Sequence, residues 1–150
     1  MIIIRNLEKE DLTSLKVLLD ELNDVLKSKH KISEKDINSN YIDITKYPEI
    51  YSNYVAKEND KMIGFLSMVF YKTFLHKRGT ALINELIVAK SHRNKGIGKV
   101  LIEKAIQLAK RRGMDEIEVG TEISNVNAQS FYKKVGFNEE HVLLGKEFEI

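Results

Sequence analysis

Arg93, Gly96 and Gly98 form the pattern R-x-x-G-x-G, with Lys95 and Lys99 interleaved. Glycines at such spacing let main-chain N–H groups approach a ligand closely. A helix opening directly after them turns its positive end to the same place, so the loop is suited to an anion, most simply a phosphate or pyrophosphate. Two other phosphate loops are excluded. A Walker A loop needs glycine where Arg93 stands and Ser or Thr where Val100 stands, and the dinucleotide fingerprint needs a third glycine where Leu101 stands. An RNA-binding G-x-x-G clamp needs two residues between its glycines, and only Ile97 separates Gly96 from Gly98. Other residues able to do chemistry are the adjacent pair Asn84-Glu85 in an otherwise apolar run, Tyr132, and four scattered histidines without helix-face metal spacing. No metal is expected.

The elements that must position these residues follow from periodicity. Ala81 to Val88 reads as a strand, apolar on nearly every position except Asn84 and Glu85, and hence covered on both faces. After the loop, a helix from about Gly98 to Arg112 carries Leu101, Ala105 and Leu108 on one face and ends at Gly113. Glu116 to Thr121 alternates as a strand, so strand, helix and strand make a parallel crossover. Asn125 is a good N-cap for a helix running through Val135 to Gly136.

Upstream, Ile2 to Ile4 reads as a strand, and Leu12, Leu15, Leu19, Leu22 and Leu26 fall on one face of a core-facing helix. Ser33 and Asp36 have capping-box spacing for a short helix starting near Glu34, which Pro48 ends. Tyr51 to Glu58 and Met62 to Tyr71 are expected to pair as an antiparallel hairpin across Asn59-Asp60. His141 to Ile150 has enough apolar residues for a closing strand.

Length and composition set bounds on this. At 150 residues, 43% hydrophobic, 31% charged and formally +2, the chain reads as one ordinary soluble domain spanning residues 1–150. Nothing in it demands nucleic acid or membrane. The absence of cysteine removes disulfides and thiolate chemistry, and with no signal-like or membrane-spanning run a cytoplasmic location is the default expectation.

A second constellation, Asn125, Ala128, Phe131, Tyr132, Gly136 and Phe137, has the form N-x-x-A-x-x-F-Y-x-x-x-G-F. Alone it reads as a capped amphipathic helix. Together with R-x-x-G-x-G, one helix and one strand upstream, it resembles the GNAT superfamily, the GCN5-related N-acetyltransferases, along nearly the whole chain. The resemblance implies a single-domain α/β (α+β) fold: a mixed, mostly antiparallel central sheet with a splayed parallel strand pair, flanked by helices. It also implies acetyl-CoA as cosubstrate, with the pantetheine arm along the main chain of Leu86, Ile87 and Val88. The pyrophosphate would lie on the loop Arg93, Asn94, Lys95, Gly96, Ile97, Gly98 and Lys99, while Asn125, Ala128, Phe131 and Tyr132 would lie beside the cofactor.

Acetyl transfer to an amine needs a neutral nucleophile, an oxyanion donor and a proton for the departing thiolate. Tyr132 matches the family tyrosine assigned the last role, and a phenol near pKa ~10 can protonate a thiolate near ~8.5. A backbone N–H around Leu86 or Ile87 is the implied oxyanion donor. Glu85 is a candidate general base or, equally, a paired carboxylate where the strands part. His76 is the other titrating candidate, and His76, Lys77 and Arg78 would favour an anionic acceptor. Tyr41, Tyr47, Tyr51, Tyr54 and Tyr71 are divided between pocket wall and core. The leading expectation is a small-molecule amine acceptor; a protein N-terminus or lysine, or a non-catalytic CoA sensor, are the alternatives. Family relatives are often homodimers.

Overall fold

Asn59 and Asp60 both adopt the left-handed region, with φ of 48° and 62°. Two such residues in succession make the tight turn whose twist matches that of its strands. They join β2 (Tyr51–Glu58) to β3 (Lys61–Tyr71), the hairpin expected from sequence. The computed structural model describes all residues 1–150 and divides them into two compact units, Met1–Val119 and Gly120–Ile150.

The first unit holds a five-stranded sheet ordered β1-β2-β3-β4-β5, with β1 (Ile2–Asn6), β4 (Thr80–Val88) and β5 (Glu116–Val119) completing it. The first three pairs are antiparallel and β4–β5 is parallel. The crossover between them is α3 (Ile97–Arg111). Helices α1 (Leu12–Leu26) and α2 (Glu34–Thr45) connect β1 to β2. The start of α2 is the capping box read from sequence: Ser33 Oγ accepts from the Asp36 N–H at 3.1 Å, and Asp36 Oδ2 accepts from the Ser33 N–H at 2.9 Å. No helix is long and apolar enough to cross a membrane.

Strand alternation sorts β3 between two layers. An added Cβ on Gly64 would lie 3.0 Å from Leu101 Cδ1, so Gly64, and with it Leu66 and Met68, faces α3. Phe65 faces the other way, clustering with Leu12, Leu15, Leu18, Ile37, Val55 and Ile87. Two bulges interrupt this order. Ile63 is the extra residue opposite β2, and Asn84 is the extra residue opposite β3: Ser67 pairs with Glu85 and Met68 with Ile83.

Asp11 closes the base of this unit. It is 4% exposed, and its carboxylate accepts from Arg5 Nη1 at 2.7 Å, Arg5 Nη2 at 3.0 Å and the Glu8 N–H at 2.9 Å, with Lys57 Nζ at 3.4 Å. One carboxylate thus joins β1, the turn into α1, and β2. Its pKa is held below the ordinary Asp value, first by the Arg5 hydrogen bonds.

The second unit contains α4 (Val126–Lys134). Gly136, at φ 107°, ends it, and the Phe137 N–H donates to the Tyr132 carbonyl at 3.0 Å. The closing strand expected at His141–Ile150 does not form; Val142, Leu143, Leu144 and Phe148 are exposed and the sheet ends at β5. The reason is that apolar content alone does not make a strand: the backbone groups need a partner ladder. Likewise β5 stops at Val119, short of the expected Thr121.

Leu101→Ala removes a side chain with 0% exposure and is expected to cost ~2–5 kcal/mol in denaturant unfolding. Gly64→Ala should be less damaging in that background than in the parent, because the closest obstacle to its Cβ is then gone. Asp11, with its depressed pKa, contributes stability that is full above the ordinary Asp value of about 3.9 and is lost as pH falls through its lower folded value. Asp11→Asn is expected to lose roughly 1.5–3 kcal/mol near neutrality and to show a flatter stability curve in acid, measured by urea unfolding across pH.

Candidate active site

The bulge at Asn84 decides where Glu85 points. In an unbroken strand Ile83, Glu85 and Ile87 would share one face. With Asn84 inserted, Ile83 pairs with Met68 on the α3 face, whereas Glu85 pairs with Ser67 and Ile87 with Phe65 on the α1–α2 face. Ile83 and Ile87 are both buried, one on each face, and Glu85 looks into a cavity of about 570 Å³. Asn53, Ser67 and Glu85 lie side by side across β2, β3 and β4 and form its polar floor. Its roof is mostly apolar, from Leu15, Leu19, Leu22 and Leu26 of α1 and Ile37, Tyr41 and Ile44 of α2, with Asn23 and Asn40 among them.

Burial pushes the Glu85 carboxyl above the ordinary carboxylate range, opposed by a hydrogen bond from the Ser67 hydroxyl. A carboxyl so placed is a better proton acceptor than an exposed one once ionised. The leucine stripe of α1, expected to pack as core, does so down to Leu22 and also lines the cavity along its length. Leu12, Leu15 and the off-stripe Leu18 are buried, Leu19 and Leu22 are half-buried against the same cluster, and Leu26 is 40% exposed at the cavity wall.

Beside the cavity, β4 has an open edge. Its parallel pairing covers only Thr80–Ile83 against Glu116–Val119, so Asn84 to Val88 extends past the end of β5. This is the splayed pair, and it exposes main-chain groups of the segment Leu86, Ile87 and Val88. The Ile87 side chain is 3% exposed and belongs to the core, so only its main chain is available to a ligand.

The strand runs into the glycine loop. A 3-10 turn at Lys90–His92 leads to Arg93, whose Nε donates to the Val88 carbonyl at 3.2 Å. Asn94 (φ 61°) and Gly96 (φ 81°) take the left-handed region, and α3 begins at Ile97. A Cβ on Gly96 would meet nothing within 4 Å, so its glycine is required by backbone conformation and not by crowding. Gly98 lies in the first turn of α3, where the helix was expected to begin, and is not among the residues with positive φ, so the turn is made by Asn94 and Gly96. Ile97 also divides in role, since its side chain is 3% exposed in the core and leaves only its N–H for the loop. Lys95 and Lys99 are exposed, and the first-turn N–H groups of α3 point the same way as any helix N-terminus, so the loop can hold an anion.

In the second unit, Asn125 Oδ1 accepts from the Ala128 N–H at 3.1 Å. Its carbonyl is therefore committed to capping α4, and the side-chain amide NH2 is what it can offer a ligand. Tyr132 is half-buried, with the Phe131 and Phe137 ring centroids at 5.4 and 5.8 Å. Burial raises its phenol above the ordinary tyrosine value, which keeps the proton on at neutral pH.

Other expectations are corrected. His76 lies 3.5 Å from carboxylate oxygens of both Asp115 and Glu116, and neither it nor Lys77 or Arg78 lines the cavity. His92 is not a plain surface histidine, because its Nε2 approaches Glu58 Oε2 at 3.3 Å. Of the five tyrosines considered as walls, Tyr41 alone lines the cavity; Tyr51 and Tyr54 line a separate hollow and the Tyr71 hydroxyl donates to Glu118 at 2.7 Å. Sequence reasoning missed Asn53 and Ser67, whose partnership with Glu85 depends on strand register. The one available signal was the polar pair Asn84-Glu85 inside an apolar strand.

These features can be set beside known proteins. N-alpha-acetyltransferase 30 of Schizosaccharomyces pombe is 34% identical over 121 residues, covering 75% of this chain and 77% of that protein. An uncharacterised N-acetyltransferase of Methanocaldococcus jannaschii is 38% identical over 93 residues, covering 61% of this chain but 41% of that longer protein. The crystal structure of glucosamine-6-phosphate N-acetyltransferase from Arabidopsis thaliana superposes with a TM-score of 0.84 at 22% identity, covering 99% of both chains, and shares the fold. The Acetyltransferase (GNAT) family matches over residues 15–137, which takes in the cavity, the open edge of β4, the glycine loop and α4, and the chain belongs to that family.

Proposed function

We propose that this chain, acting as a single catalytic domain, transfers an acetyl group from acetyl-CoA to a primary amine of a small molecule. The observation that carries the reading is the sequence of features along β4: a carboxylate facing a cavity, then an open main-chain edge, then a glycine loop at a helix N-terminus. These fit an acceptor, an extended amide-bearing arm and a pyrophosphate respectively. The main chain of Leu86 to Val88 would hold the arm, and the N–H groups between Asn94 and Lys99, with Lys95 and Lys99, the pyrophosphate.

Acetyl-CoA supplies a thioester whose carbonyl carbon accepts the amine nitrogen as the carbon–sulfur bond breaks. Glu85, ionised, takes the proton lost by the amine, directly or through one water. A main-chain N–H near Leu86 or Ile87 steadies the carbonyl oxygen as it gains charge. Tyr132, kept protonated, returns a proton to the departing sulfur. Arg93 ties the loop to the end of β4 through Val88 and so holds it in register with the strand.

A second reading, acetylation of a protein N-terminus, is favoured by the 34% identity to the yeast N-alpha-acetyltransferase. The mostly apolar cavity of about 570 Å³ in front of Glu85, a size usual for small-molecule sites, favours the small amine.

Calorimetric titration with acetyl-CoA, followed by thiol release over small amines and peptides, tests the proposal. Absence of acetyl-CoA binding would refute it, and binding without turnover on any amine would indicate a sensor. Tyr132→Phe is expected to lower kcat by ~10²–10⁴ with little change in acetyl-CoA affinity; equal loss in both would make Tyr132 structural. For Glu85→Gln, kcat/KM should fall and the acidic limb of its pH profile should disappear. In the parent that limb should lie above the ordinary Glu value of about 4.3, because burial raises this carboxyl. An unchanged limb in the variant would assign the base elsewhere.

A further inference from the structure

The chemistry of the acceptor is written in the cavity's lining, given the acetyl-transfer reading above. Its roof follows α1 from Leu12 to Leu26, about 20 Å at 1.5 Å per residue, and is aliphatic there except for Asn23. On the floor Asn53, Ser67 and Glu85 stand in one row, with Asn84 next to them, and α2 adds Asn40. Lys31 is the one lysine in the lining, next to His30 on the exposed stretch after α1, and no arginine contributes. Asp36, the other carboxylate in the lining, is taken up by the Ser33 N–H at 2.9 Å and Ser33 Oγ at 2.6 Å. Glu85 is therefore the charge that meets whatever occupies the floor.

We infer that the acceptor is a primary amine carried on an extended apolar body, with its nitrogen at Glu85 and its hydrocarbon under the α1 leucines. A protonated amine entering this space gains a counter-charge at Glu85, and its hydrocarbon replaces water on Leu19, Leu22 and Leu26. A phosphorylated or carboxylated amine would find no arginine in the lining and Lys31 as its one lysine. A polyhydroxylated amine, or an extended peptide, would set hydroxyls or amides against Leu15, Leu19, Leu22 and Leu26, and away from Asn23 and Asn40 these offer no partner. The cavity volume of about 570 Å³ lies within the ordinary range for small-molecule sites.

The test is a series of straight-chain amines from ethylamine to hexylamine, with 2-phenylethylamine, glucosamine 6-phosphate, kanamycin and a short peptide with an apolar N-terminus, each assayed with saturating acetyl-CoA. On this reading kcat/KM rises about three- to fourfold for each added methylene until the cavity is filled, and the sugar amines and peptide fall below hexylamine. Leu22→Asn and Leu26→Asn, the latter at a residue 40% exposed, should flatten that dependence while thermal unfolding confirms that each variant folds. A flat series, or preference for the phosphosugar, the aminoglycoside or the peptide, overturns the inference while leaving acetyl transfer intact. Titration of the chain with hexylamine alone separates the two readings further. Hexylamine binding that weakens in Leu22→Asn supports the apolar site even if acetyl-CoA fails to bind, and no binding in the presence or absence of acetyl-CoA refutes it.

Discussion

A strand buried on both faces has no face to spare for a carboxylate. β4 must supply Ile83 to the layer beneath α3 and Ile87 to the layer beneath α1 and α2, yet an uninterrupted strand would send both to one side. One extra residue, Asn84, resolves this by inverting the alternation between them. The same inversion sets Glu85 beside Ser67 and at the floor of the cavity. Because the bulge breaks the ladder and bends the strand locally, it also lies where β4 leaves its parallel partner. Carboxylate, cavity floor and open edge thus share one cause.

The rest of the first unit holds that arrangement in place. Gly64 allows Leu101 to approach β3 closely, which seats α3 against the sheet. Ile97 buries its side chain at the start of the same helix, and Arg93 reaches back to the Val88 carbonyl. The glycine loop is consequently pinned at both ends while its middle remains exposed. An anion site of this kind needs rigid N–H groups more than it needs lysines, because preorganised donors do not have to be reordered when the ligand arrives.

Across the sheet, the α1 leucines serve two purposes along one stripe. Leu12, Leu15 and Leu18 are buried with Phe65, Val55 and Ile87, Leu19 and Leu22 pack half-buried against that cluster, and Leu12, Leu15, Leu19, Leu22 and Leu26 also line the cavity. An apolar surface left partly wet is a stability cost that binding can recover. The carboxylate at the end of that surface has its pKa raised by burial, against the hydrogen bond from Ser67.

Much of this was legible in the residues themselves. Leucines at steps of three and four made α1, Ser33 with Asp36 began α2, Asn59-Asp60 turned the hairpin, and Arg93, Gly96 and Gly98 marked an anion loop before a helix. Each is a local signal carried by neighbours in the chain. What the chain alone left open depends on register and packing between distant segments. Asn84 and Glu85 were visible as an anomaly, but the place of Glu85 on the cavity floor, with Asn84 also in the lining, is decided by the pairing of Glu85 with Ser67. The leucine stripe predicted burial without telling core from cavity, since both present the same periodicity. The tail at His141–Ile150 had strand-like composition and formed none, because a strand exists only with a partner, and a partner is a property of the tertiary structure.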